Sequence, residues 1–259
     1  MMQKQVKNVP FYVVCSLSLI LLGGCSRSVP LISHAHIGHA LTAWRDTPGQ
    51  QGLFVIAEEE TGIALDETEA ARGSAPSSED RKHHLSNVIH ALNPDRRGRG
   101  NGKGYGAIRA LGGTADHLVF AAESDDASDN LIRMAAAFSE GAGEVSRQLK
   151  LATEVALLAE QADGDEQDRL LARLEGILSH AVQGKDLNAN GVIGDTVAEY
   201  GLEQLRNDIS HGLHNETPAY QPLGKKYLFG LVRLPSGGWA YRFDSTDKKA
   251  RSRYGYGHY

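Results

Sequence analysis

The sequence predicts a mostly α-helical protein: an antiparallel array of about seven helices with a short C-terminal β-hairpin. Three observations lead there. Apolar residues recur at spacings of three and four through most of residues 31–213. Proline, glycine and capping residues separate these stretches at intervals of a helix length. After Pro218 the pattern becomes two apolar runs flanking a Gly-containing turn.

A first helix is expected from Leu31 to Asp46, because Ile37, Leu41 and Trp44 share a face, and Thr47-Pro48-Gly49 ends it. A second runs from about Gln51 to Arg72 on a stripe of Leu53, Ile56, Ile63 and Ala64. The segment Gly73–Ser77 is a linker. Ser77 with Asp80 three residues later starts a third helix, carrying Leu85, Val88, Ile89 and Leu92. Pro94 stops it. Residues 94–106 then hold five glycines and four basic residues, which reads as a flexible basic loop. Its spacing fits neither the P-loop nor the dinucleotide fingerprint.

The fourth helix is expected at about Tyr105–Glu123, with acidic caps for the next helix in Ser124–Asp129. The fifth, about Asn130–Gln161, carries a near-heptad stripe of Leu131, Met134, Phe138, Val145, Leu149 and Ala156. The sixth covers about Glu166–Val182 and the seventh about Thr196–Leu213. The hairpin falls on either side of Pro235–Gly238, and a basic aromatic tail follows. A lone hairpin is marginal in water and needs a surface to pack on.

Composition is that of an ordinary folded protein, 41% hydrophobic and 23% charged over 259 residues. Net charge is −5, and nearer −7 without the first 24 residues, which hold Lys4 and Lys7 and no acid. Such a balance opposes non-specific nucleic-acid binding, which depends on Lys and Arg neutralising phosphates. The two cysteines are Cys15 and Cys25.

The N-terminus has a basic start, then a twelve-residue apolar run from Phe11 to Leu22. That is short for a bilayer span, which takes about 20 residues, and suits a signal-peptide core. Leu22-Gly23-Gly24-Cys25 follows and resembles the bacterial lipobox. The resemblance implies cleavage before Cys25, lipid on its thiol, and a lipoprotein tethered at the cell envelope. Ser26 rather than aspartate after the cysteine points to the outer membrane, facing the periplasm or the exterior. The domains expected are a signal peptide over 1–24, a lipidated linker over 25–30, a helical domain over 31–214, and the hairpin with its tail over 215–259.

Between the sixth and seventh helices, Asp186, Asn188, Asn190, Gly191, Val192 and Ile193 fit the first eight slots of an EF-hand loop. Such loops offer side-chain oxygens at positions 1, 3 and 5, glycine at 6 and a backbone carbonyl at 7. The resemblance implies calcium, held by Asp186, Asn188, Asn190 and the Val192 carbonyl. The loop departs from the pattern at position 12, where Val197 replaces the bidentate acid. Asp195 or Glu199 is the expected substitute. The plain alternative is that Asn-Ala-Asn-Gly makes a good interhelical turn.

Eleven histidines offer a second metal chemistry. His34, His36 and His39 lie on the first helix, and Glu60 sits on the apolar stripe of the second, where a carboxylate wants a cation, a partner or a proton. These four form the alternative transition-metal set. The helical wheel opposes a larger buried cluster, because His39 projects nearly opposite Ile37, and His90 and His117 lie off their stripes. His36 and His39 are then a surface pair.

No GxSxG, HExxH or CxxCH motif occurs, and no residue stands out as nucleophile or general base. Three functions remain: a non-enzymatic metal-binding envelope lipoprotein, a structural or assembly lipoprotein engaging an envelope partner through its hairpin, and a His/Glu metalloprotein with redox activity. Cells fed labelled palmitate should mark the wild-type chain, and Cys25→Ala should lose the label.

Overall fold

A computed structural model describes residues 31–73, 77–220, 231–233 and 239–241. The targeting segment, Cys25, the linker and the C-terminal tail lie outside the described residues. Seven α-helices occur among the described residues: α1 Ile32–Leu41, α2 Leu53–Arg72, α3 Ser78–Leu92, α4 Ala107–Ala122, α5 Asp129–Gln161, α6 Gly164–Gln183 and α7 Leu202–His214. The expected helical array is therefore observed. Beyond Tyr220, β1 Leu231–Arg233 and β2 Trp239–Tyr241 pair antiparallel, and the rest of the expected hairpin lies outside the described residues. No described helix is long and apolar enough to cross a membrane.

The array is organised around α5. At about 1.5 Å per residue its 33 residues span about 50 Å, and it packs against α3, α4, α6 and α7. Its buried stripe is the expected one: Leu131, Met134, Phe138, Val145, Leu149 and Ala156. Gly141 within it admits Tyr200, whose ring would lie 2.5 Å from a β-carbon at that position. Helix α2 is the second hub, touching α1, α3, α4 and α6. Phe54 of α2 meets Phe138 of α5 edge to face at 5.7 Å, which joins the two hubs. Ion pairs such as Arg81–Asp168 at 2.8 Å link one helix to another, here α3 to α6. Exposed pairs of that kind contribute little.

Two helix boundaries differ from expectation. Helix α1 stops at Leu41 rather than Asp46, because the chain turns there into a closed loop. Thr47 Oγ1 donates to the carbonyls of Trp44 and Gln51, and Trp44 N–H donates to Gln51 O. Gly52 then passes so close to α1 that a β-carbon would lie 2.2 Å from Leu41 C. Helix α7 starts at Leu202 rather than Thr196. Residues Val197–Glu199 form a single 3-10 turn, and extended Gly201 lies against the backbone of Gly184.

The glycine-rich basic segment is a fastened loop. The Glu60 carboxylate, fully buried, accepts N–H bonds from Lys103, Tyr105 and Gly106 at 2.9–3.1 Å. Glu67 accepts from Asn101 Nδ2, Asn87 Nδ2 and His84 Nδ1. His90 Nδ1 donates to the Arg97 carbonyl at 2.7 Å. Glu60 thus finds its partners in backbone amides, the main chain supplying what a cation would otherwise supply. Gly102 makes this approach possible: a β-carbon there would meet Glu60 Oε2 at 2.7 Å and Ala91 Cα at 2.8 Å.

A buried donor left without an acceptor costs about 1–3 kcal/mol, and Glu60→Ala strands two, Tyr105 and Gly106 N–H, besides freeing the part-buried Lys103 N–H. That variant should lose about 3 kcal/mol or more in urea unfolding. Glu60→Gln, which keeps the shape and one acceptor oxygen, should lose less.

Candidate metal centre

The site begins with α1. A ten-residue helix with no apolar stripe of its own must bury what it has, and α1 buries two faces. Ile37 and Ala40 enter the hydrophobic core with no exposed surface. His36 and His39, each 4% exposed, face α4 and the loop after α1. The helix start is held from outside: Asp126, in the α4–α5 loop, accepts the backbone N–H groups of Ile32 and Ser33 at 2.6 and 3.0 Å. A carboxylate there satisfies orphan donors and complements the helix dipole. The capping residues expected in 124–129 therefore serve two helices: Ser128 caps α5 with Asp129 in its first turn, and Asp126 caps α1.

Helix α4 supplies the third imidazole. His36 Nδ1 and His117 Nδ1 lie 3.2 Å apart. The rings of His39 and His117 are 5.0 Å apart, and those of His36 and His39 5.9 Å. One nitrogen from each of His36, His39 and His117 falls within 4.8 Å of the other two. Trp44 leans over the group at 4.7 Å from His39 and 4.8 Å from His117. Phe120, one helical turn after His117, lies 5.6 Å from His36 and 5.9 Å from His117. The early end of α1 is what aims Trp44 at this point.

Electrostatics keep two of these imidazoles neutral. Burial pushes His36 down from 6.5 to about 4, His117 pushes it the same way, and Asp126 opposes both. Burial also lowers His117, against a smaller upward pull from Asp116. Neutral imidazole is the form that ligates a metal. In a tetrahedral site with metal–nitrogen bonds of about 2.0–2.1 Å, the nitrogens stand about 3.4 Å apart. The His36–His117 separation nearly matches that edge already.

The alternative set of His34, His36, His39 and Glu60 is not the group that assembles. His36 and His39 are brought together, but as a buried pair rather than a surface pair, and His117 completes them. His34 faces elsewhere, with Nε2 3.6 Å from Glu216 Oε1 and its ring edge to face with Tyr220 at 5.7 Å. Glu60 is committed to the glycine-rich loop. His117 was legible as an imidazole off its own stripe, and so was His39. Two such residues facing each other is a matter of helix packing that a single wheel cannot contain.

The loop from Asp186 to Glu199 closes on itself. Asp186 accepts N–H bonds from Asn190 and Gly191, as the first residue of the turn. Asn188 Oδ1 accepts from Asn190 N–H, and Asn190 Oδ1 from Val192 N–H. Ala189 and Gly191 take left-handed conformations, at φ 58° and 83°. Asn188 and Asn190 turn their amide groups to the Asp195 carboxylate. Glu199, fully buried, accepts from Leu187, Asn188 and Gly194 N–H. Of the two substitutes for position 12, Glu199 is the inner strut, and Asp195 is the acid that shares a side with the asparagines. Hydrogen bonds with Glu199, then with Asn190 and Asn188, hold the Asp195 carboxyl below its usual range.

No protein-family model, characterised protein or solved structure matches this chain.

The depressed imidazoles set a pH dependence. Between 6.5 and about 4 the unfolded chain binds a proton at residue 36 that the folded chain resists. Stability should therefore fall as pH drops through that window, by about 2 kcal/mol with allowance for solvent screening. Denaturant unfolding across the window should show the slope, and His36→Gln should flatten it.

Proposed function

We propose that this protein is a lipid-anchored envelope lipoprotein whose helical domain binds a first-row transition metal through His36, His39 and His117. The observation that carries the reading is the convergence of three ligand nitrogens within 4.8 Å. With imidazole donors and no thiolate among them, the donor set suits Zn²⁺ or Cu²⁺. The anchor rests on the lipobox at Cys25, and it would place the site on the same side of the membrane as the lipid. The proposed architecture appends a C-terminal β-hairpin to the bundle, supported by the two apolar runs on either side of Pro235–Gly238.

Calcium at the Asp186 loop is a second reading, favoured by one observation. Asn188, Asn190 and Asp195 meet on one exposed side of the loop. Rotation of the two amides would present oxygens beside the Asp195 carboxylate. With so little charge among its ligands, affinity belongs to the ~10⁻⁴–10⁻³ M class.

One titration separates the two. Detergent-solubilised full-length protein is stripped with chelator, then given Cu²⁺, Zn²⁺ or Ca²⁺. Cu²⁺ should quench Trp44 emission at one equivalent, because the indole lies against two ligand rings. Zn²⁺ at a hundredfold excess over Kd should raise stability by about 2.7 kcal/mol. Both responses should vanish in His117→Ala and persist in Asp186→Ala. A Ca²⁺-specific rise in thermal stability should show the opposite pattern. Quenching and stability unchanged by every transition metal would remove the first reading.

A further inference from the structure

The imidazole group is divided between two helices. His36 and His39 come from α1, and His117 comes from α4, 81 residues along the chain from His36. An ion held by all three would join those helices at a point where the backbone does not.

Helix α1 is the element whose release disturbs the rest of the bundle least. It packs chiefly on α4 and less on α2. The hub α5 packs on α3, α4, α6 and α7, and α2 has α3, α4 and α6 besides α1. Both hubs therefore keep their other partners when α1 leaves. Ile37 and Ala40 anchor α1 in the core, and several of its other attachments are polar. Asp126 takes its first amides, Thr42 shares a hydrogen bond with Tyr220, and His34 lies beside Glu216. Polar contacts of this kind replace bonds to water and net little. A ten-residue helix also has little tendency to persist by itself. Local opening of such an element requires less free energy than unfolding of the whole domain.

A metal ion distinguishes the docked helix from the opened one. Docked, the three imidazoles offer nitrogens within 4.8 Å of one another. Opened, His36 and His39 travel with α1 while His117 stays on α4. The docked form offers three ligands in one place and the opened form at most two. A ligand shifts such an equilibrium by its difference in affinity for the two forms.

We propose that metal bound at His36, His39 and His117 is a clasp that holds α1 on α4. Without the ion, α1 opens ahead of the rest of the bundle. With the ion, it stays docked. This rests on the transition-metal reading above and adds how the bound ion regulates the fold.

Amide hydrogen exchange of full-length protein in detergent tests it, in chelator and then with Zn²⁺ at a hundredfold excess over Kd. Bound zinc is measured on the same samples. In chelator, the amides of residues 35–42 should exchange faster than those in the buried middle of α5. Zinc should slow the residue 35–42 amides about a hundredfold, the factor by which binding to the docked form alone suppresses opening. His117→Gln should keep fast exchange in α1 with or without zinc. Zinc bound with α1 exchange unslowed would overturn the clasp and leave metal binding intact. Exchange of α1 in chelator as slow as that of α5 would show that α1 leaves only on global unfolding, and would likewise overturn the clasp alone. Absence of bound zinc would overturn both readings. Slowing by zinc that persists in His117→Gln would place the ion elsewhere and also overturn both.

Discussion

Helix α1 cannot stand alone. Ten residues are too few for an isolated helix in water, and this one lacks a coherent apolar stripe. It persists because three separate parts of the chain hold it. Asp126 satisfies its first amides, the core takes Ile37 and Ala40, and α4 with the Trp44 loop covers His36 and His39. Farther along, Tyr220 shares a hydrogen bond with Thr42 at 2.8 Å, and burial raises the Tyr220 phenol above its ordinary value. The imidazole cluster exists only where this docking puts it, so the candidate site inherits its geometry from helix packing.

Buried acids have a common task in this protein. Glu60 and Glu67 fasten the glycine-rich loop, Glu199 supports the loop before α7, and Glu216 accepts from Ser128 and Asn130 at the start of α5. Glu60 and Glu199 satisfy backbone amides of non-helical segments, and Glu67 and Glu216 take side-chain donors that tie neighbouring segments together. That use explains why none of these four acids joins the imidazole group.

The two candidate metal sites differ in chemistry and in construction. The imidazole group is assembled by long-range packing between residues 36, 39 and 117, and its donors suit borderline metals. The Asp186 loop is local in sequence, and its oxygens suit a hard cation. Its own N–H groups already engage those oxygens, so the loop keeps its shape as a turn, and a cation would compete with internal hydrogen bonds. In the imidazole group, His36 and His117 already meet nitrogen to nitrogen at 3.2 Å, and burial lowers the proton affinity of both.

The sequence by itself determined the helical class, the registers of α3 and α5 and the break at Pro94, because each depends on residues within one or two turns. It also determined the turn at Asn188–Gly191 and the candidate ligands within it. Where α1 ends was not legible from helical spacing: a local closed loop of Thr47 and Gln51 bonds replaces a helical continuation that Trp44 would have suited. Glu60 could be recognised as a carboxylate on an apolar stripe, but its partners are amides more than forty residues away. The pairing of His36 and His39 with His117 was likewise settled only in three dimensions. A helical wheel shows which residues leave a stripe, and only the packing of a second helix decides whether that other face meets water or another imidazole.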